Sequence, residues 1–420
     1  VENSFRALSN RNYRLYFSGQ LISVIGNGMQ LIVQAWLVYR LTHSAYWLGI
    51  ISVCSQVPAF FASPFAGILA DHKDRRKILL LVQVVGMLQA FLLAALVLTK
   101  TIQVWHIAIL AALLGVLNAF EITTRHAFAV DLVGKNDLGS AISLNSATIS
   151  ASRVLGPALG GILIGPLGEG RCFLLNGISY LAVVYGLLAM NLKMQSKEVH
   201  LADSWEHLGE TIAYIRRTPL ILKFMGLATF ISFVGFSYSV LLPVVAKDVL
   251  HGSPSTFAIL SAAGGSGAIL GAILLGNVAH IQGIYRKVFT YVWLMGCGFV
   301  LLGLSNQVWL STIAMFLVGC FMMGAFPIIN TSIQNVVEDS KRGRVMSIYT
   351  MTFFGATPLG SLLAGFFSDR YGAQRVAIAS GLTCIVFGLL ARRAFGLIAI
   401  RFRSEYKEFQ PFEETEKTII

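Results

Sequence analysis

Charge is what this chain has least of. Only 12% of its 420 residues are Asp, Glu, Lys or Arg, about half the share in an ordinary soluble domain. Too little polar sequence remains to cover a water-soluble body of this length. Acids are scarcer than bases, 20 against 32, which leaves a net charge of +12. The basic residues are dispersed among short loops, and no RNA- or DNA-binding motif accompanies them, so nucleic acid is not an expected partner. There are five cysteines, Cys54, Cys172, Cys297, Cys320 and Cys384. Their count is odd and their spacing fits neither a metal site nor a redox pair, so they are expected to pack as small apolar residues. The eight histidines are scattered, with no H-E-x-x-H, and no G-x-x-x-x-G-K-S/T loop occurs. These gaps argue against a metal-dependent intramembrane enzyme and against ATP hydrolysis, and no cofactor or metal is expected. Gly264-Gly265-Ser266-Gly267 has glycines but no lysine and lies inside an apolar run, as close helix packing requires. Residues 1–14 are polar and basic and do not read as a cleavable signal peptide.

What the chain has in excess is apolar length. Hydrophobic residues make up 55% and the mean hydropathy is +0.70. Apolar runs of about 20 residues recur, each long enough to cross a hydrocarbon core as a helix. The expected fold is an all-α polytopic membrane protein with twelve transmembrane helices in two pseudo-symmetric six-helix bundles. Residues 1–191 form the first bundle and 192–219 a polar linker whose segment Trp205–Tyr214 is amphipathic. Residues 220–391 form the second bundle, and 392–420 a charged, partly disordered tail. The placement of Lys and Arg puts both termini in the cytoplasm. Sequence elements repeat across the linker: Gly355-Ala-Thr-Pro358-Leu-Gly360-Ser361 echoes Gly156-Pro157-Ala-Leu-Gly160-Gly161. Gly276…His280 with Arg286-Lys287 echoes Gly67…Asp71 with Arg75-Arg76. Internal repeats of this kind mark two-bundle transporters.

The densest group of charges is Gly67-Ile-Leu-Ala-Asp71-His72-Lys73-Asp74-Arg75-Arg76-Lys77. Placed between the second and third spans, it must lie at the bilayer surface, and its cations make that surface cytoplasmic. Asp71 follows Gly67 by one helical turn. Together with Phe5-Arg6-Ala7-Leu8, Asn12 to Gln20 and Gly156-Pro157-x-x-Gly160-Gly161, this segment resembles the major facilitator superfamily over nearly the whole chain. The likeness is to its bacterial drug and siderophore exporters, the branch that includes macrolide pumps and the enterobactin exporter. That resemblance implies export from the cytoplasm by proton antiport. It also implies that Asp71 meets the start of a helix in the other half, as a conformational latch with Gly67, Arg75 and Arg76. Gly156, Pro157, Gly160 and Gly161 match the antiporter motif. In physical terms Pro157 removes a backbone donor and bends its helix, and the glycines let a neighbour close on the bend; an ordinary packing kink would look the same.

Glu121 and Arg153 are the most informative charges within the spans, the other acids lying in loops or near span ends. Glu121, with Arg125 four residues on, reads either as a proton carrier or as a partner in the cytoplasmic latch. Arg153 falls near mid-membrane, where an unpaired cation is costly. It serves either substrate and coupling or a structural hydrogen-bond role. Helix 1 carries Gln20, Ser23, Asn27, Gln30 and Gln34 on one face, which reads as a cavity wall or as interhelical hydrogen bonding. Further cavity candidates are Asn118, Phe233, Tyr238, Asn330 and Gln334. The function expected is a proton-coupled exporter of a lipophilic or amphipathic small molecule, drug- or siderophore-like, in the bacterial inner membrane. Arg153 tilts the choice toward acidic ligands. A lysophospholipid translocator or a facilitated-diffusion carrier is the nearest alternative, and a transporter-fold sensor a more distant one. Expected partners are the small amphipathic substrate, protons and membrane lipids, with the carrier a monomer.

Overall fold

The computed structural model describes residues 2–134, 137–190, 206–276, 284–338 and 341–406. After a short 3₁₀ turn, Glu2–Ser9, come α1 (Arg11–Thr42), α2 (Ala45–His72), α3 (Arg75–Leu98), α4 (Val104–Val133) and α5 (Leu138–Leu188). They are followed by α6 (Glu206–Arg217), α7 (Pro219–Gly235), α8 (Tyr238–Val244), α9 (Pro254–Gly276) and α10 (Ile284–Leu304). The last three are α11 (Val308–Val336), α12 (Arg342–Tyr371) and α13 (Ala373–Tyr406). Among the described residues, eleven helical segments are long and apolar enough to cross a membrane. The α5 segment counts twice. Its 51 residues break at Gly168, whose φ of 76° is left-handed and suits a residue without Cβ. Twelve crossings result.

Local chemistry sets the helix ends. Asn10 accepts the N–H groups of Asn12 and Tyr13 at the start of α1, and Ser44 accepts that of Trp47 at the start of α2. Asp74 accepts those of Arg76 and Lys77 at the start of α3. Each satisfies donors that have no partner within the helix. The expected loop 67–77 therefore shrinks to a tight turn. Gly67 and Asp71 lie in α2, and Arg75 and Arg76 open α3. The amphipathic segment of the linker forms α6. The expected tail departs from expectation, because α13 continues as helix to Tyr406. His280, part of the second loop echo, lies outside the described residues.

Helices α1–α5 pack into one bundle and α7–α13 into the other. Their apolar cores are arranged unequally along the membrane normal. At the end bearing Asp71 each bundle has its own cluster. One is built on Tyr13, Leu79, Phe128 and Val183, the other on Ile221, Phe289, Ile329 and Val345. At the opposite end a single cluster runs across both bundles and joins Trp36, Leu37 and Leu48 to Leu241, Phe257 and Ala364. The bundles are thus fused at one end and separate at the other.

Candidate functional site

The fused end is held by backbone contact and by acids. A Cβ on Gly365 of α12 would lie 2.4 Å from the Ala45 carbonyl oxygen, and one on Gly49 of α2 would lie 2.8 Å from the Leu362 Cα. Asp369 of α12 reaches the start of α2. It accepts the Ala45 N–H at 2.6 Å, the Tyr46 N–H at 3.3 Å and the Ser44 hydroxyl. Tyr39 of α1 donates to Asp248 of the second bundle. The Trp36 ring stacks on Phe257 at 6.2 Å between centroids. At the Asp71 end, Cβ atoms built on Gly67 and Gly343 would meet nothing within 4 Å, and the same holds for Gly355 about halfway along α12.

The Gly156-Pro157-x-x-Gly160-Gly161 motif straddles both kinds of packing. Gly156 lies against α1 within its own bundle, where a Cβ would approach the Gly28 backbone to 2.7 Å. Gly160 makes ordinary contact with Ile32 of α1, whereas a Cβ on Gly161 would meet the Ala258 Cβ of α9, in the other bundle, at 2.2 Å. Pro157 is buried between them.

Arg153 lies one turn before the motif on α5, about 22 Å from the helix start at the usual rise. Its backbone carbonyl touches Gly265 of α9. Its side chain is exposed and, among the described residues, has no hydrogen-bond or ion-pair partner. Tyr238 of α8 is within electrostatic reach. Asn118 is also exposed, and Gln34, Tyr238, Asn330 and Gln334 are half-buried. The Gln334 amide donates to Asn330 one turn earlier. Phe233, expected on the cavity, instead lines a groove of about 490 Å³ between α7, α12 and α13.

The helix 1 stripe faces neighbouring helices more than it faces open space. Tyr180 donates to the Asn27 carbonyl oxygen at 2.7 Å, and Asn176 donates to both Asn27 (3.1 Å) and Gln30 (2.7 Å). Gln30 in turn donates to Gln89 at 3.2 Å and is 1% exposed. The expected cavity wall is, at Asn27 and Gln30, an interhelical amide network. Gln20 belongs to another cluster, donating to Glu121 at 2.6 Å. Arg125 stands 3.6 Å from the same carboxylate oxygen. Glu121 and Arg125 are 7% and 8% exposed. Beside them a cavity of about 170 Å³ is lined by Tyr16, Gln20, Arg125, His126, Asn145 and Thr148.

The cations at the Asp71 end do not reach Glu121. Arg75 Nη1 donates to both carboxylate oxygens of Asp131 of α4, at 2.9 and 2.8 Å, and the guanidinium lies 3.6 Å from Asp71. Arg76 donates to the Leu188 carbonyl at 3.1 Å. Glu121 thus pairs inside its bundle, with the arginine four residues on, rather than with the loop cations. Sequence reasoning missed Asp131, Asn176, Gln89, Asp248 and Asp369. Only the last left a readable signal, the Gly365-x-x-x-Asp369 spacing that matches Gly67-x-x-x-Asp71.

Two helical bundles fused at one end are the architecture of a two-bundle membrane carrier. Residues 2–412 match the family described as transmembrane secretion effector, and the chain belongs to that family of the major facilitator superfamily. It is 30% identical over 378 residues to the staphyloferrin A transporter of Staphylococcus aureus (strain NCTC 8325 / PS 47), covering 89% of this chain and 93% of that protein. It is 23% identical to macrolide efflux protein A of Streptococcus pyogenes, covering 90% and 96%. The solved structure of the nucleoside transporter NupG superposes with a TM-score of 0.74 at 13% identity, over 92% of this chain and 99% of that one. The protein is a membrane transporter, not an enzyme.

Proposed function

We propose that this protein is a proton-coupled exporter of an amphipathic, acidic small molecule, siderophore- or drug-like, that works by alternating access in the bacterial inner membrane. The observation that carries this reading is Arg153. An exposed guanidinium without a protein partner at mid-membrane is costly unless an anion or water meets it, and an acidic cargo in the space between the bundles meets it directly. The names of the relatives, a siderophore transporter and a macrolide efflux protein, support the cargo class. The surplus of Lys and Arg around Asp71 makes that end cytoplasmic, so the fused end faces outward and the cavity is open to the cell interior, where export begins. Glu121, buried beside Gln20 and Arg125, is the candidate proton carrier, because protonation would release Arg125 and the Gln20 amide together. The 67–77 segment, with Gly67, Asp71, Arg75 and Arg76, acts as the inner latch.

The test uses proteoliposomes with an internal pH dye, offered acidic and neutral amphiphiles. Wild type is expected to move protons against the acidic cargo. Arg153→Ala is expected to lose acidic cargo by at least tenfold while Arg153→Lys keeps part of it, and Glu121→Gln is expected to uncouple proton movement. Unchanged acidic transport in Arg153→Ala would overturn the cargo assignment. Proton flux that survives in Glu121→Gln would overturn the coupling assignment.

A lipid cargo is the second reading. The groove between α7, α12 and α13 is apolar, with Phe233, Leu363 and Phe367 along it and exposed Arg375 at its outer rim. Such a shape suits an acyl chain beneath an anionic headgroup. Movement of labelled lysophospholipid without proton flux would favour this reading.

A further inference from the structure

Helices α2 and α12 run antiparallel across the boundary between the bundles, since the start of α2 at Ala45 meets Gly365 near the end of α12. Both helices carry the same spacing near their C-terminal ends, Gly67-x-x-x-Asp71 in α2 and Gly365-x-x-x-Asp369 in α12. Each carboxylate stands one turn beyond its glycine. Antiparallel packing sets each at the same end as the N-terminus of the other helix. There the first backbone N–H groups lack intrahelical partners and the helix dipole favours an anion.

Only one of these two junctions is made. Asp369 takes two backbone N–H groups and the capping hydroxyl of α2, and Gly365 admits the Ala45 carbonyl that any Cβ would strike. At the other end Asp71 is half exposed, and among the described residues its ion pair is with Arg75 of its own bundle. The residue preceding α12, Lys341, makes no side-chain capping bond, and nothing approaches Gly67.

We propose that Asp369 is a latch for the outer face, the counterpart of Asp71 on the same pair of helices, and that the two are engaged in alternation. The inference rests on the alternating-access reading above. The two helices, 28 and 30 residues long, are stiff rods of about 42 and 45 Å. The bundles also touch near mid-depth, where Arg153 backs onto Gly265. Rocking about that contact brings Gly67 to the start of α12 only as Gly365 leaves Ala45. Asp369 touches no cargo. It is a positioning residue that acts through the N-terminus of α2.

The experiment measures distances between spin labels in nanodiscs, with the five native cysteines replaced by alanine. Thr101→Cys with Trp309→Cys reports the outer end, and Lys77→Cys with Ser347→Cys the inner end. Two anticorrelated distance populations are expected at each end. Asp369→Asn is expected to shift them roughly tenfold, equivalent to about 1.4 kcal/mol, toward the form with the outer end open. Asp71→Asn is expected to shift them in the opposite direction, and the double variant to return near wild type. Gly365→Leu, which blocks the backbone approach without touching charge, should act like Asp369→Asn, and Asp369→Glu should retain most of the wild-type balance. Two populations that Asp369→Asn and Gly365→Leu leave in place, or a shift in the same direction as Asp71→Asn, would overturn the latch alone. A single population at both ends, with and without an acidic amphiphile, would overturn alternating access and the latch with it.

Discussion

Glu121 and Arg125 form a buried pair whose oxygen and nitrogen are 3.6 Å apart, and Gln20 supplies the shorter contact to the carboxylate. Removing one member of a buried pair leaves the other charged and unpaired, at a cost on the order of 3 kcal/mol. Glu121→Gln is therefore expected to lower the thermal unfolding temperature measured in lipid, and Glu121→Gln combined with Arg125→Met to recover most of it. A double variant no more stable than the single one would mean that Arg125 is held by something other than Glu121. The amide network is cheaper to break. Asn176 donates to two carbonyl oxygens on α1, yet hydrogen bonds between transmembrane helices contribute only about 0.6–1.7 kcal/mol each. Asn176→Leu should lower stability by about 1 kcal/mol on a thermal melt and leave transport intact, because those amides face helices rather than cargo.

Helix α5 separates two jobs that look alike in a sequence. Gly156 and Gly161 belong to one motif but face different bundles. A Cβ at Gly156 pushes α5 from α1 inside a rigid unit, where overpacking costs about 1–3 kcal/mol. A Cβ at Gly161 pushes α5 from α9 of the other bundle, which on the proposed alternating-access reading must separate from it. Gly156→Ala is thus expected to lower thermal stability and yield. Gly161→Ala should leave the melt nearly unchanged and raise the share of outward-open protein, read from the reactivity of a cysteine placed at Trp36, which is 7% exposed in this form. Equal effects of the two substitutions on both readouts would show that the motif works only as a packing kink.

For the whole molecule, one apolar cluster bridges the bundles at the end opposite Asp71, while two separate clusters lie at the Asp71 end. Access is accordingly one-sided. In inside-out vesicles, a membrane-impermeant thiol reagent should label Asn118→Cys at least tenfold faster than Trp36→Cys, since Asn118 is exposed and Trp36 sits in the bridging cluster. Cargo that drives the carrier through its cycle should narrow that ratio. A ratio near one without cargo would contradict the inward-open arrangement.

Sequence alone determined what depends on composition and local spacing. Twelve apolar lengths, a cationic side, the break near Gly168 and the repeat across a linker follow from what a bilayer demands of each segment by itself. The likeness carried by residues 67–77 and 156–161 extended that to the family. Tertiary structure decided which polar groups meet. Gln30 reads equally as a cavity residue or an interhelical hydrogen-bonding one until Gln89 and Asn176, 59 and 146 positions away, are set beside it. Glu121 reads from the sequence as a proton carrier or a latch partner, and only the packing sets Gln20 beside its carboxylate. Asp369 shows its role only when α12 lies against the start of α2, 324 residues earlier in the chain. Helix periodicity places a side chain on a face but does not say which helix that face will meet. That choice belongs to the packing of whole bundles.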